Sequence, residues 1–149
     1  ADLAQSLGRV DHDRVISGPG LVNLFRFTHR ACRCKVVHDD DDLTAMPARI
    51  SDAALARECA LCVEALEMFL EAYGAEAGNL ALRSVATAGV YLGGGIAPKL
   101  LPALESGGFI DAFRDKEPLA DLLRLIPVRV ILNPAAGLLG AATYAERLR

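Results

Sequence analysis

The sequence predicts an α/β fold, helix-rich, with a buried sheet covered by helices. Three observations carry this: an amphipathic helical pattern through residues 64–80, a short apolar run ending in three glycines at 89–95, and a second apolar run at 128–132 followed by a return to helix. The order helix, strand, glycine loop, helices, strand, helix is that of helices packed on a mostly buried sheet. A chain of 149 residues fits one compact domain.

The composition agrees. Hydrophobic residues make up 52% and charged residues 23%, with only 7 prolines, which disfavours disorder. A formal net charge of −3 offers no broad basic surface, so nucleic acid is not an expected partner. The most apolar region, Leu119 to Ala142, is interrupted by Asp121, Arg124, Pro127, Arg129 and Pro134, so no membrane span is expected. The first residues, Ala1-Asp2-Leu3-Ala4, lack a secretory pattern, and a cytoplasmic location is expected. There is no initiating methionine, so a start inside a longer protein is expected.

The elements follow from local signals. Residues 1–9 read as the end of a helix, with Leu3, Ala4 and Leu7 on one side and Gly8 placed to stop it. Ser17-Gly18-Pro19-Gly20 reads as a rigid turn that starts a helix through Leu21–Phe25. Residues 30–50, containing the acidic run Asp39–Asp42, read as a polar surface excursion, and the run as a solvated loop rather than a cation site. Ser51 and Asp52 are expected to begin a helix that continues, with a break, to about Ala86. Its buried face comprises Leu66, Phe69, Leu70, Tyr73, Ala77 and Leu80, with Glu64, Glu67 and Glu71 outside. Pro98 is expected to open a helix over 97–105, ended by Gly107-Gly108; two short helices follow at 109–113 and 118–126, then a strand at 128–132 and a helix from Gly137 to Arg149.

The sharpest signal for a ligand is Val90-Tyr91-Leu92-Gly93-Gly94-Gly95-Ile96-Ala97-Pro98. Glycines directly after a strand let backbone come close to a flat ligand or a phosphate. The loop is neither a Walker loop nor a complete Gly-x-Gly-x-x-Gly dinucleotide pattern, and glycines alone fit a tight structural turn as well.

The segments Arg14 to Asn23, Ala77 to Leu82, Gly89 to Pro98 and Gly137 to Ala142 resemble, in this order, segments of bacterial glucokinases, the group distinct from the repressor-and-kinase sugar kinases. The resemblance covers nearly the whole chain and is weakest over 30–50. It implies an actin-like (ribonuclease-H-like) fold, ATP as co-substrate with Mg, and transfer of the γ-phosphate to glucose. It also implies that Gly93, Gly94 and Gly95 contact adenosine and that Asp13, at a position usually held by glutamate, contacts the sugar. A carboxylate suits that task because it accepts two directed hydroxyl hydrogen bonds; without a ligand, Asp13 reads as capping a turn beside Arg14. The family's Asp-x-Gly-Gly-Thr-Asn phosphate loop, its Asn-Asp pair with the catalytic base, and its Gly-Glu-Gly-Gly-His sugar motif do not occur in these 149 residues. The chain thus reads as a carboxy-terminal lobe, residues 1–149, without the amino-terminal lobe, carrying no catalytic residue and inactive alone. A homo-oligomer is expected. The alternatives are a sugar- or nucleotide-sensing module of the same fold and a structural metal-binding domain built on the cysteines.

Those cysteines are Cys32-x-Cys34 and Cys59-x-x-Cys62, with His29 and His38 nearby. Zinc sites use such pairs on tight turns, whereas Cys59 and Cys62 fall on an expected helix, so no zinc is expected. Plain reduced thiols are the favoured reading, with zinc or a redox pair as the others. His12, His29 and His38 are assigned no chemistry.

Overall fold

The computed structural model describes residues 4–5, 8–38 and 42–148. Gly8 has φ +71°, and its N–H donates to the Ala4 carbonyl, the left-handed stop expected of it. Leu3, Leu7 and Asp39 to Asp41 lie outside the described residues.

After a 3-10 turn at His12–Arg14, helix α1 runs over Gly18–Thr28. Ser17 caps it, its side chain accepting the Gly20 N–H at 3.0 Å, and Pro19 occupies the first turn, where a missing N–H costs nothing. Helix α2 spans Met46–Leu55 with Pro47 in its first turn. Ser51 therefore lies inside α2 rather than at its start, its hydroxyl donating to the Ala48 carbonyl. Nor is 30–50 a wholly polar excursion, since Cys34, Val37 and Met46 are buried. Asp42 accepts the Thr44 N–H at 2.9 Å, which holds its carboxyl below the ordinary value.

The expected break falls between Leu55 and Ala60, where Arg57 takes φ +55°. Helix α3, Ala60–Ser84, is the central element and packs against α1, α2 and α5. Leu66, Phe69, Leu70 and Ala77 are buried as their spacing predicts, and Glu64, Glu67 and Glu71 are exposed. Leu80 is 51% exposed, because the helices that pack on α3 cover other parts of its surface. The helix stops at Ser84 on a left-handed Val85, not at Ala86.

Strand β1, Val90–Leu92, pairs in parallel with β2, Val128–Val130, in the register Val90 to Val128 and Leu92 to Val130. A parallel pair needs a long crossover. Three short helices supply it: α4 at Leu101–Leu104, α5 at Gly108–Arg114 and α6 at Ala120–Leu125. Pro98 does not begin the first of these. Pro102 does, sitting in its first turn, where its missing N–H costs no hydrogen bond. Gly107, with φ +112°, precedes α5 and starts that helix instead of only ending the previous one.

An aromatic file joins α3 to α5. Phe69 and Tyr73 meet edge to face at 6.0 Å, Tyr73 and Phe109 at 5.2 Å, and Phe109 stacks with Phe113 at 6.4 Å. Burial of the Tyr73 phenol raises its pKa. The two helices approach so closely that a Cβ at Gly74 would lie 2.1 Å from the Phe109 carbonyl oxygen, and one at Gly78 2.4 Å from that of Phe113. The last helix, α7 at Ala136–Arg147, has no buried residue; Leu138, Leu139 and Tyr144 are all exposed. No helix among the described residues is long and apolar enough to cross a membrane.

Candidate functional site

Pairing of β1 with the chain after β2 closes where the Ile131 N–H donates to the Leu92 carbonyl at 2.9 Å. Beyond it Gly93, Gly94 and Gly95 leave the sheet. Gly94 has φ +96°, which disfavours any side chain there. A Cβ at Gly94 or Gly95 would meet nothing within 4 Å, so no neighbour within the chain demands glycine at 95. The loop is tied down beyond the glycines: Ala97 and Leu100 are buried, and the Lys99 and Leu100 N–H groups both donate to the Ile96 carbonyl at 3.1 Å. A mobile-looking glycine run is thus held between a strand end and a buried anchor, with bare backbone facing open space.

That space is shared. A cavity of about 380 Å³ is lined by Gly95, Ile96 and Lys99 on one side and by Ser17, Gly18 and Pro47 on the other. The fold brings the glycine loop and the Ser-Gly-Pro-Gly turn, far apart in sequence, to the two walls of one cleft.

Asp13 lies just before this turn, exposed within the 3-10 segment, and its carbonyl accepts the Ser17 hydroxyl. The capping carboxylate is Asp11, whose Oδ1 accepts the Arg14 N–H at 3.1 Å, so Asp13 is not the cap of this turn. Two contacts hold the segment in place. Asn23 Nδ2 donates to the Arg14 carbonyl at 3.0 Å, and His12 Nε2 stands 3.2 Å from Glu76 Oε2, an oxygen that also accepts from Asn79 Nδ2. The roles of Asn23 and Glu76 are visible only in three dimensions; the sequence signals that both lie near are the glycine-bearing segments around Gly20 and Gly78.

Gly20 and Gly78 themselves serve packing. A Cβ at Gly20 would come within 2.4 Å of the Val15 carbonyl, as one at Gly78 would of Phe113. The Ser17–Gly20 turn is therefore a structural device that carries a cleft wall, in agreement with its reading as a rigid helix start.

A second constellation lies apart from this cleft. Cys59 is not within a helix: it is the N-cap of α3, extended at φ −140° and ψ 118°, and Cys62 sits in the first turn. The premise that the pair is embedded in a helix therefore changes. His29, at the C-terminus of α1, and Cys34 approach the same point, and the four potential ligand atoms lie within 4.8 Å of one another. Burial and the neighbouring thiols push the Cys62 thiol well up. Burial acts the same way on Cys34, but the Val36 and Val37 amides outweigh it and leave that thiol below its ordinary value.

Comparisons with known proteins agree on one family. The Glucokinase family profile matches residues 1–148. The chain is 42% identical to the glucokinase of Synechocystis sp. over 95% of its own length and 44% of that protein's. It is likewise 42% identical to a Yersinia pestis glucokinase over 99% of its length and 44% of that protein's. Among solved structures it superposes on a glucokinase from an Antarctic psychrotroph with a TM-score of 0.78 at 29% identity, covering 94% of this chain and 42% of that one. The chain thus spans somewhat under half the length of these relatives. With a family match along almost its whole length, a shared fold and a glycine-walled cleft where a ligand loop was expected, the chain belongs to the glucokinase family.

Proposed function

We propose that this chain is the carboxy-terminal lobe of an ATP-dependent glucokinase of actin-like fold, which transfers the γ-phosphate of ATP, with Mg, to glucose. The observation that carries the reading is the cleft that Gly95, the last of the three glycines, lines opposite the turn at Ser17 and Gly18. In this reading Gly93, Gly94 and Gly95 lie against adenosine, and the open space at a Gly95 Cβ is where the flat ligand approaches. Asp13 accepts hydrogen bonds from sugar hydroxyls, a role compatible with its exposure and with the cap being Asp11. The enzyme is cytoplasmic, and it is a homo-oligomer; the exposed Leu138, Leu139 and Tyr144 of α7 support the second of these.

Phosphoryl transfer needs charge stabilisation around the moving phosphate and a positioned base. The phosphate loop and the Asn-Asp pair expected for these tasks are not among the 149 residues. The chain alone is therefore expected to show no glucose phosphorylation in a coupled-enzyme assay. Robust turnover by the pure chain would overturn the division of labour proposed here.

A further inference from the structure

The cluster at the start of α3 uses residues from three separate parts of the chain, and the glucokinase reading employs none of them. His29 closes α1; Cys34 lies in the following loop; Cys59 and Cys62 bracket the first turn of α3. All four cysteines are free, with Cys34 and Cys62 buried and Cys32 exposed.

Two of the distances match the edges of a zinc coordination tetrahedron. Zinc takes thiolate sulfur at about 2.3 Å and imidazole nitrogen at about 2.0 Å, so tetrahedral angles put sulfur–sulfur edges at about 3.8 Å and sulfur–nitrogen edges at about 3.5 Å. Cys34 Sγ and Cys62 Sγ are 3.8 Å apart, and His29 Nε2 and Cys59 Sγ are 3.4 Å apart. All four ligand atoms lie within 4.8 Å of one another, so no edge exceeds the tetrahedral value by more than about 1 Å.

The surroundings of each ligand also suit a metal. His29 Nδ1 lies 2.9 Å from the Phe25 carbonyl, so the proton sits on Nδ1 and the Nε2 lone pair is aimed at the cluster. The Val37 N–H donates to Cys34 Sγ at 3.4 Å, the kind of amide-to-sulfur contact that stabilises a thiolate. Cys59 makes no side-chain capping bond, and both it and Cys62 stand at the positive end of a 25-residue helix. Thr28 Oγ1 is 3.0 Å from the Leu61 carbonyl and joins the ends of α1 and α3 from which three of the ligands come. Three thiolates and one Zn²⁺ carry a net −1, and the adjoining cavity of about 760 Å³ is lined by Arg26, Arg30 and Arg33.

We propose that His29, Cys34, Cys59 and Cys62 form a structural zinc site. Binding releases the three thiol protons to solvent and fills all four positions with protein ligands, leaving none for a substrate or water. The ion pins the loop after α1 to the start of α3. This replaces the expectation of plain thiols, which rested on Cys59 lying inside a helix.

The test is cobalt titration of the 149-residue chain, stripped of metal under a thiol reductant. The expected result is a one-to-one end point with the intense visible bands and sulfur-to-metal charge transfer of tetrahedral thiolate-bound cobalt, bleached by added zinc. Cys32→Ser should titrate like the parent, while Cys34→Ser and Cys62→Ser should lose the end point. Because these two variants lose buried groups, native alkylation of the unmodified chain gives an independent readout: with zinc bound, Cys32 alone should be labelled. Weak octahedral bands, a disulfide in place of two thiols under these conditions, equal labelling of all four cysteines with and without zinc, or dependence on Cys32 would each overturn the proposal.

Discussion

Gly74→Val is expected to lower the thermal unfolding midpoint of the chain by roughly 6–12 °C. In an ordinary helix interior, replacing glycine gains up to about 1 kcal/mol of propensity when the new residue is alanine, and somewhat less for valine. Here the new Cβ would lie 2.1 Å from the Phe109 carbonyl oxygen and 2.9 Å from its carbon, both main-chain atoms that no rotamer change can move away. The helices must separate, and the aromatic file Phe69, Tyr73, Phe109 and Phe113 between them loses its packing. Overpacking of this kind costs about 3 kcal/mol, and each kcal/mol shifts the midpoint by about 2–4 °C at this chain length. Gly140→Ala makes the contrast, since a Cβ there meets nothing within 4 Å and its midpoint should hold or rise. Melting curves followed by circular dichroism check both signs. Equal behaviour of the two variants would mean that α3 and α5 are not in close backbone contact.

Asp13→Ala, in a glucokinase containing this segment, is expected to raise the glucose Michaelis constant about 10- to 100-fold and to change that for ATP by less than about twofold. Hydrogen bonds to a charged group are worth about 1.5–3 kcal/mol, and 1.4 kcal/mol is tenfold. Asp13 is exposed and is not the group that caps the 3-10 turn, so its removal leaves the Asp11 contact with Arg14 and the fold of the segment in place. Asp13→Glu, which restores the residue usual in the resembling enzymes, should keep glucose binding near the parent level. Steady-state kinetics with each substrate varied in turn separates these outcomes. Equal damage to both constants would count against a local sugar contact.

The two strands, α5, α6 and α7 were legible because their signals are local. An apolar run bounded by glycine or proline, as at Val90–Leu92 and Val128–Val130, needs no distant partner to be recognised. The glycine loop was legible for the same reason. Element boundaries were less so where two prolines or two caps competed: Pro102 rather than Pro98 opens α4, and Ser51 lies within α2. Burial failed where it depends on what packs above a helix, as at Leu80, exposed on α3, and Met46, buried within a stretch that reads as polar. In the cleft, residue types were visible but their meeting was not, because Gly18 and Gly95 are joined only by tertiary packing. The cysteine cluster was hidden by one φ,ψ pair: Cys59 reads as helical in sequence, yet as an extended N-cap it turns its sulfur toward His29.

The most direct measurement of the central claim, that the loop after β1 is an adenosine contact in a glucokinase lobe, is the ATP Michaelis constant of Gly95→Val in an enzyme containing this segment. Apart from its chain neighbours, a Cβ at this position meets no atom of the described residues within 4 Å, so the segment's folding and melting midpoint should be unchanged while the side chain occupies the ligand's space. The account predicts a rise on the order of tenfold for ATP, about 1.4 kcal/mol, with the glucose constant unmoved. An unchanged ATP constant in a variant that melts like the parent would contradict it.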